Sequence, residues 1–145
     1  MTTPATDDTT GQQSPPIEVA VAALYFAAQA VVGALLWIGA DLSTTVRSWL
    51  ELVPERPQVT DAFLPADIVV IAASALAAWA LWRGRPWAMV PVWFTVGGIV
   101  YPTVVLVGWV ASTDGTGETA LGMMLLATVS CTGAALLAWR SRPSR

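Results

Sequence analysis

At 145 residues the chain is long enough for one domain. Apolar residues make up 55% of it, charged residues only 12%, and the mean hydropathy is +0.62; soluble domains carry roughly 25% charge, so a water-soluble fold is not expected. A formal charge of −3 without clustered cations argues against nucleic acid as a partner.

Histidine is absent and Cys131 is the one cysteine. Structural zinc, histidine-ligated haem, an internal disulfide and paired-thiol redox chemistry are thereby excluded, and neither a metal nor a cofactor is expected. All seven basic residues are arginine and alanine is abundant, a composition typical of a GC-rich bacterial genome.

Residues 1–16 are Thr, Asp, Gln, Ser and Pro with scarcely an apolar side chain. Such a segment buries too little surface to offset ordering, so a disordered tail is expected. No positive charge precedes the first apolar stretch, which is unlike a signal peptide.

Four apolar stretches follow, each near the roughly 20 residues needed to cross a hydrocarbon core of about 30 Å. The first runs from Ile17 to Ala40, with Glu18 in its opening turn and Asp41 just past its end. The second, Leu64 to Trp82, is announced by Pro65, whose missing N–H costs nothing in a first turn, and by Asp67, which complements the positive end of the helix dipole. The third spans Trp87 to Ala111 and the fourth Thr119 to Trp139, followed by a basic tail, residues 141–145. Trp37, Trp82, Trp87, Trp109 and Trp139 lie near predicted span ends, where an amphipathic ring prefers the headgroup level; Trp79 and Trp93 lie deeper. The expected fold is an all-α, transmembrane, antiparallel four-helix bundle running up-down-up-down.

Between the first two spans, Val46, Trp49, Leu50 and Val53 recur at i, i+3, i+4 and i+7. A short helix is expected there, capped by Ser43 or Thr44, stopped by Pro54, and lying in the interface or on the bundle's mouth.

Arginine placement sets the expected orientation. Arg83 and Arg85 between spans two and three, with Arg140, Arg142 and Arg145 at the end, outweigh Arg47 and Arg56 on the other side. Both termini should be cytoplasmic in a multi-pass inner (plasma) membrane protein, with the Asp41–Phe63 connection outside.

Polar groups within spans are functional candidates because burying them in lipid is costly. Gln29 lies near the middle of span one, with Tyr25 a turn away on the same face; it either binds a ligand or bonds a neighbouring helix. Asp41, Asp67 and Tyr101, with Asp61 and Thr103, fall at similar outer depths, and Arg47 is close enough to pair with one of them. They form either a small polar pocket open to the outside or a set of caps and surface pairs. Pro102, deep in span three, removes one helical hydrogen bond at that depth, whereas Pro91 lies nearer the first turns. Ala73/Ala77 and Ser74/Ala78 on span two, and Ser130, Gly133 and Ala134 on span four, are small residues spaced for close helix approach. Ser130 and Cys131 have no histidine to activate them.

The sequence resembles small four-span integral membrane proteins of actinobacterial type. Leu64-Pro65-Ala66-Asp67, Trp82-Arg83-Gly84-Arg85-Pro86-Trp87 and Gly97-Gly98-Ile99-Val100-Tyr101 carry the likeness, which covers roughly Asp61 to Arg142. The resemblance implies a membrane bundle and supplies no catalytic residue. Two readings follow. In the first, the chain is a non-enzymatic subunit or small-ligand or lipid binder, with the bilayer, a membrane protein or a second copy as partner. In the second, it handles a lipid or small molecule at an outer pocket around Asp67, Asp41 and Tyr101.

Overall fold

All four apolar stretches are helical in the computed structural model, which describes residues 15–51, 57–113 and 117–141. The long helices are α1 (Ile17–Leu42), α4 (Leu64–Trp82), α5 (Met89–Ser112) and α6 (Glu118–Arg140), separated after α1 by the short α2 (Thr44–Leu50) and α3 (Pro57–Asp61). No strand occurs among the described residues. Each long helix is long and apolar enough to cross a bilayer, with mean hydropathy between 1.8 and 2.1 over its most apolar stretch. The chain is an integral membrane protein. The expected tail over residues 1–14, Val53 and Pro54 of the expected short helix, and the end of the basic tail, residues 142–145, lie outside the described residues.

The bundle is square. Helix α1 packs on α4 and α6, and α5 packs on α4 and α6, while the diagonal pairs scarcely meet. Consecutive long helices run antiparallel: Trp37 meets Asp67 at one end, and Trp79 meets Trp87 and Trp93 meets Trp139 at the other. The expected up-down-up-down order is therefore observed.

Helix α2 forms on the first part of the expected stripe, over Val46, Trp49 and Leu50, but ends at Leu50 with Glu51 extended at its C-cap, short of the stop expected at Pro54. The Ser43 hydroxyl accepts from the Val46 N–H at 3.5 Å. Helix α3 has no counterpart among the expected elements. It leads into α4 almost without interruption, through Ala62 N–H to Gln58 and Asp67 N–H to Phe63. Helix α5 starts two residues later than its composition indicates, because Arg85 to Ala88 form a turn closed by Ala88 N–H to Arg85 C=O at 3.1 Å.

The α4–α5 turn is tight for a definable reason. Gly84 sits at φ 59, in the left-handed region that a side chain resists. From there Gly84 N–H reaches Leu81 C=O at 3.0 Å and Arg85 N–H reaches Ala80 C=O at 2.9 Å. Those paired bonds satisfy the carbonyls left open at a helix end.

The core occupies the half of the bundle next to that turn. Phe26 is fully buried among Ala22 and Ala23 of α1, Ala77, Ala78 and Leu81 of α4, Val92 and Val96 of α5, and Cys131 and Ala135 of α6. Alanine dominates, so backbones approach closely and dispersion contacts hold helices together where lipid removes the hydrophobic drive. Toward the other end the bundle loosens: α4 buries nothing before Ser74, and α1 nothing between Ala30 and Ala40. Two glycines set the closest approaches there. A Cβ on Gly33 would come within 2.9 Å of Ile71 Cγ1, and one on Gly98 within 2.7 Å of Val70 Cγ2. Gly133, expected in a packing face, instead lies exposed with nothing within 4 Å of a Cβ.

Candidate functional site

Four residues of α1 recur every four positions: Tyr25, Gln29, Gly33 and Trp37. At 3.6 residues per turn such a series drifts by about 40° per step around the helix. It therefore starts facing one neighbour and ends facing the next. Tyr25 lies against α6, where its hydroxyl is 2.9 Å from the Ser130 hydroxyl and donates to Ala127 C=O at 3.4 Å. Gln29, Gly33 and Trp37 lie against α4.

On α4 the matching series is Asp67, Ile71 and Ser74. The Gln29 amide donates to the Ser74 hydroxyl at 3.0 Å, and that hydroxyl donates to its own helix at Val70 C=O at 2.8 Å. The Trp37 indole N–H donates to Asp67 Oδ2 at 2.9 Å. Asp67 is half-buried, as its place in a first turn facing a neighbour requires.

The other expected members of an outer pocket go elsewhere. Tyr101 is 73% exposed on the outside of α5, and Asp41 is exposed at the end of α1. Arg47 pairs, as expected, with one acid of the outer group, and that acid is Asp61 rather than Asp41 or Asp67. Its guanidinium donates to Asp61 at 2.7 Å and to Glu51 at 3.2 Å, which ties α2 to α3. The hydrogen bond and charge of Asp61 hold Arg47 above its already high ordinary range, so it stays cationic. Thr103, expected in the same group, is buried and turns inward. Its hydroxyl lies 2.8 Å from that of Thr128 and donates to Ile99 C=O at 2.7 Å, linking α5 to α6 just beyond Pro102.

Of the four residues singled out by polarity alone, Asp67 and Gln29 thus share the α1–α4 seam, and Asp41 and Tyr101 do not join them. Sequence reasoning missed Trp37 and Ser74 as their partners. The four-residue recurrence on α1 carries that signal, but Trp37 also fits an interfacial belt and Ser74 a packing series.

Three buried polar atoms make no hydrogen bond within the described structure: Gln29 Oε1, Thr95 Oγ1 and Trp109 Nε1. Ser130 is bonded to Tyr25 and to Leu126 C=O, Cys131 is enclosed by the core, and no three acidic or cysteine side chains converge among the described residues.

At the opposite end, the α4–α5 turn presents Arg83 and Arg85 beside exposed Trp79, Trp82 and Trp87. The Arg85 guanidinium lies over the Trp79 ring, 5.5 Å from its centroid. No protein-family model matches the sequence, and no curated protein or solved structure is detectably similar to it.

Proposed function

We propose that the chain is a non-catalytic subunit of a membrane assembly: a lipid-embedded scaffold whose outward helix faces bind a neighbouring membrane protein or a second copy. The observation that carries this reading is where the polar side chains go. Tyr25, Gln29, Trp37, Asp67, Ser74, Thr103, Thr128 and Ser130 are engaged in bonds from helix to helix. They brace the bundle and leave its outer surface apolar. Helix α6 is the least buried of the four spans. Gly122 and Gly133 lie about three turns apart on one face of it, both exposed, with open space where a Cβ would stand. At each glycine the missing side chain lets a partner backbone approach, with Leu126 and Val129 exposed between them on the same face.

On this reading the chain sits in the plasma membrane with both termini cytoplasmic, because Arg83, Arg85 and Arg140 cluster at one end. Reporter fusions at each terminus and after Glu51 test that orientation.

The test of the function uses the open glycines. Gly122→Leu and Gly133→Leu fill empty space, so each variant should melt with the parent in mild detergent. In-membrane cross-linking of the parent should capture a second copy or a distinct membrane protein, and the variants should lose that product. A parent that cross-links to nothing, or variants that cross-link as the parent does, overturns the assignment.

A further inference from the structure

We infer that the α4–α5 face is a binding site for an anionic phospholipid, with an acyl chain in the groove between the helices and the headgroup at the Arg83–Arg85 turn. The inference stands whether or not the chain has a protein partner.

The groove is the place where two helices packed through small residues leave a furrow. Ala72 and Ala73 form part of its floor, Leu76 and Trp87 lie at the turn end, and Val69 and Phe94 at the far end. It is an open furrow of about 400 Å³. From Val69 to Leu76 the furrow runs about 10 Å along α4, roughly two-thirds of one leaflet's share of a 30 Å core. Every lining side chain is apolar, so the furrow fits a hydrocarbon chain and offers a polar ligand nothing.

What distinguishes this face from ordinary lipid-facing surface is its continuity with fixed positive charge. Trp87 lines the groove and also packs on Trp79, with ring centroids 5.9 Å apart. Trp79 in turn lies under the Arg85 guanidinium. The paired bonds around Gly84 hold the turn in one shape. Arg83 follows Val69 and Leu76 at seven-residue intervals, about two turns each along one side of α4, and Arg85 reaches the groove's edge through Trp79 and Trp87. No carboxylate lies within ion-pair distance of either arginine among the described residues. Two unneutralised guanidiniums beside an apolar furrow match a phosphodiester with attached chains. Guanidinium suits phosphate because its planar fork of donors reaches two oxygens at once, and the indole pair provides the amphipathic floor on which a glycerol backbone rests.

Titration of the delipidated full-length chain with phosphatidylglycerol or phosphatidylcholine, followed by native mass spectrometry, tests the inference. Phosphatidylglycerol should bind more tightly, by about fivefold for each arginine engaged. R83Q/R85Q should remove that preference, weakening phosphatidylglycerol binding more than that of phosphatidylcholine, whose choline already offsets the charge of its phosphate. Val90→Trp covers the groove from its rim; Val90 is 70% exposed, so the larger ring creates no clash inside the bundle. This variant should melt with the parent and lose affinity for both lipids. Glycerol phosphate, which carries the charge without the chains, should not compete. Equal affinity for the two lipids in the parent overturns the proposal. So does full phosphatidylglycerol binding by Val90→Trp, which would reduce the site to surface charge. Should Val90→Trp fail to fold, Ala73→Phe replaces it, blocking the groove from the floor instead of the rim, with the same loss expected and the same result overturning the proposal.

Discussion

The indole N–H of Trp37 donates to the carboxylate of Asp67 across 2.9 Å, and this bond fastens the last third of α1 to the first turn of α4. It lies in the part of the bundle where alanine packing has given out, since α4 buries nothing before Ser74. A hydrogen bond to a charged acceptor is worth more than a neutral one, and more still away from bulk water.

Replacement of Trp37 by Phe keeps the ring and deletes the donor, and Asp67→Ala deletes the acceptor. Each should lower the melting temperature in detergent. In a double-mutant cycle the pair should show a coupling of about 1.5 kcal/mol, the low end for a charged acceptor, because Asp67 retains partial access to water. Additive single effects would mean that the two groups act separately.

Gly98 and Gly97 are neighbours with opposite surroundings, and the contrast makes a prediction. A Cβ at Gly98 meets Val70 Cγ2 at 2.7 Å, a methyl on a stiff β-branched side chain, whereas one at Gly97 meets nothing within 4 Å. Gly98→Ala should cost about 1–3 kcal/mol through overpacking, and Val70→Ala should restore most of it in the double variant. Gly97→Ala should be neutral or slightly stabilising, since alanine is the better helix former. Thermal melts of the four variants decide it.

The spans are legible because lipid imposes length and apolarity together: Pro65 and Asp67 mark the start of α4, and α2 follows from the spacing of Val46, Trp49 and Leu50. Facing is harder to read. In a soluble helix the polar side shows which face is out, but here both the lipid face and the protein face are apolar. Tyr101 and Thr103 stand two residues apart on α5 and share a depth that suggests one pocket; one turns to lipid and the other to Thr128. Depth is set by sequence distance along a helix. Azimuth depends on the neighbour, and Gly133 illustrates the same loss, since a small residue permits close packing without requiring it. Helix α3 escapes notice because five residues, Pro57–Asp61, are too few to display a period.

Cys131 provides a probe of the core. It is completely buried among Phe26, Val92 and Ala135, and a maleimide needs both access and a thiolate. The folded protein in mild detergent should therefore label slowly, and unfolding in dodecyl sulfate should make labelling complete within minutes. Ala134→Leu crowds the same layer of buried residues and should raise the rate in the folded state. Rapid labelling of the parent would show that the α6 face containing Cys131 opens on the timescale of the reaction.

Gln29 and Ser74 share one hydrogen bond, yet their removal should have unequal consequences. The Gln29 amide donates to Ser74, while its Oε1 is buried with no partner in the described structure. Gln29→Met removes a bond worth about 0.6 kcal/mol in a membrane interior and also removes the unpaired oxygen, whose burial costs about 1–3 kcal/mol. Ser74 is left satisfied, because its hydroxyl still donates to Val70 C=O. The expected result is a melting temperature equal to or above that of the parent. Ser74→Ala strands both ends of the Gln29 amide and should destabilise by about 1–3 kcal/mol. A strongly destabilised Gln29→Met would imply that Oε1 has a partner in the membrane, either a buried water or a bound molecule, and lipid extraction followed by mass spectrometry would then distinguish the two. Thr95, fully buried on α5 with its hydroxyl likewise unpaired, supplies the control: Thr95→Val keeps the shape, deletes the orphaned oxygen, and should stabilise the bundle by the same reasoning.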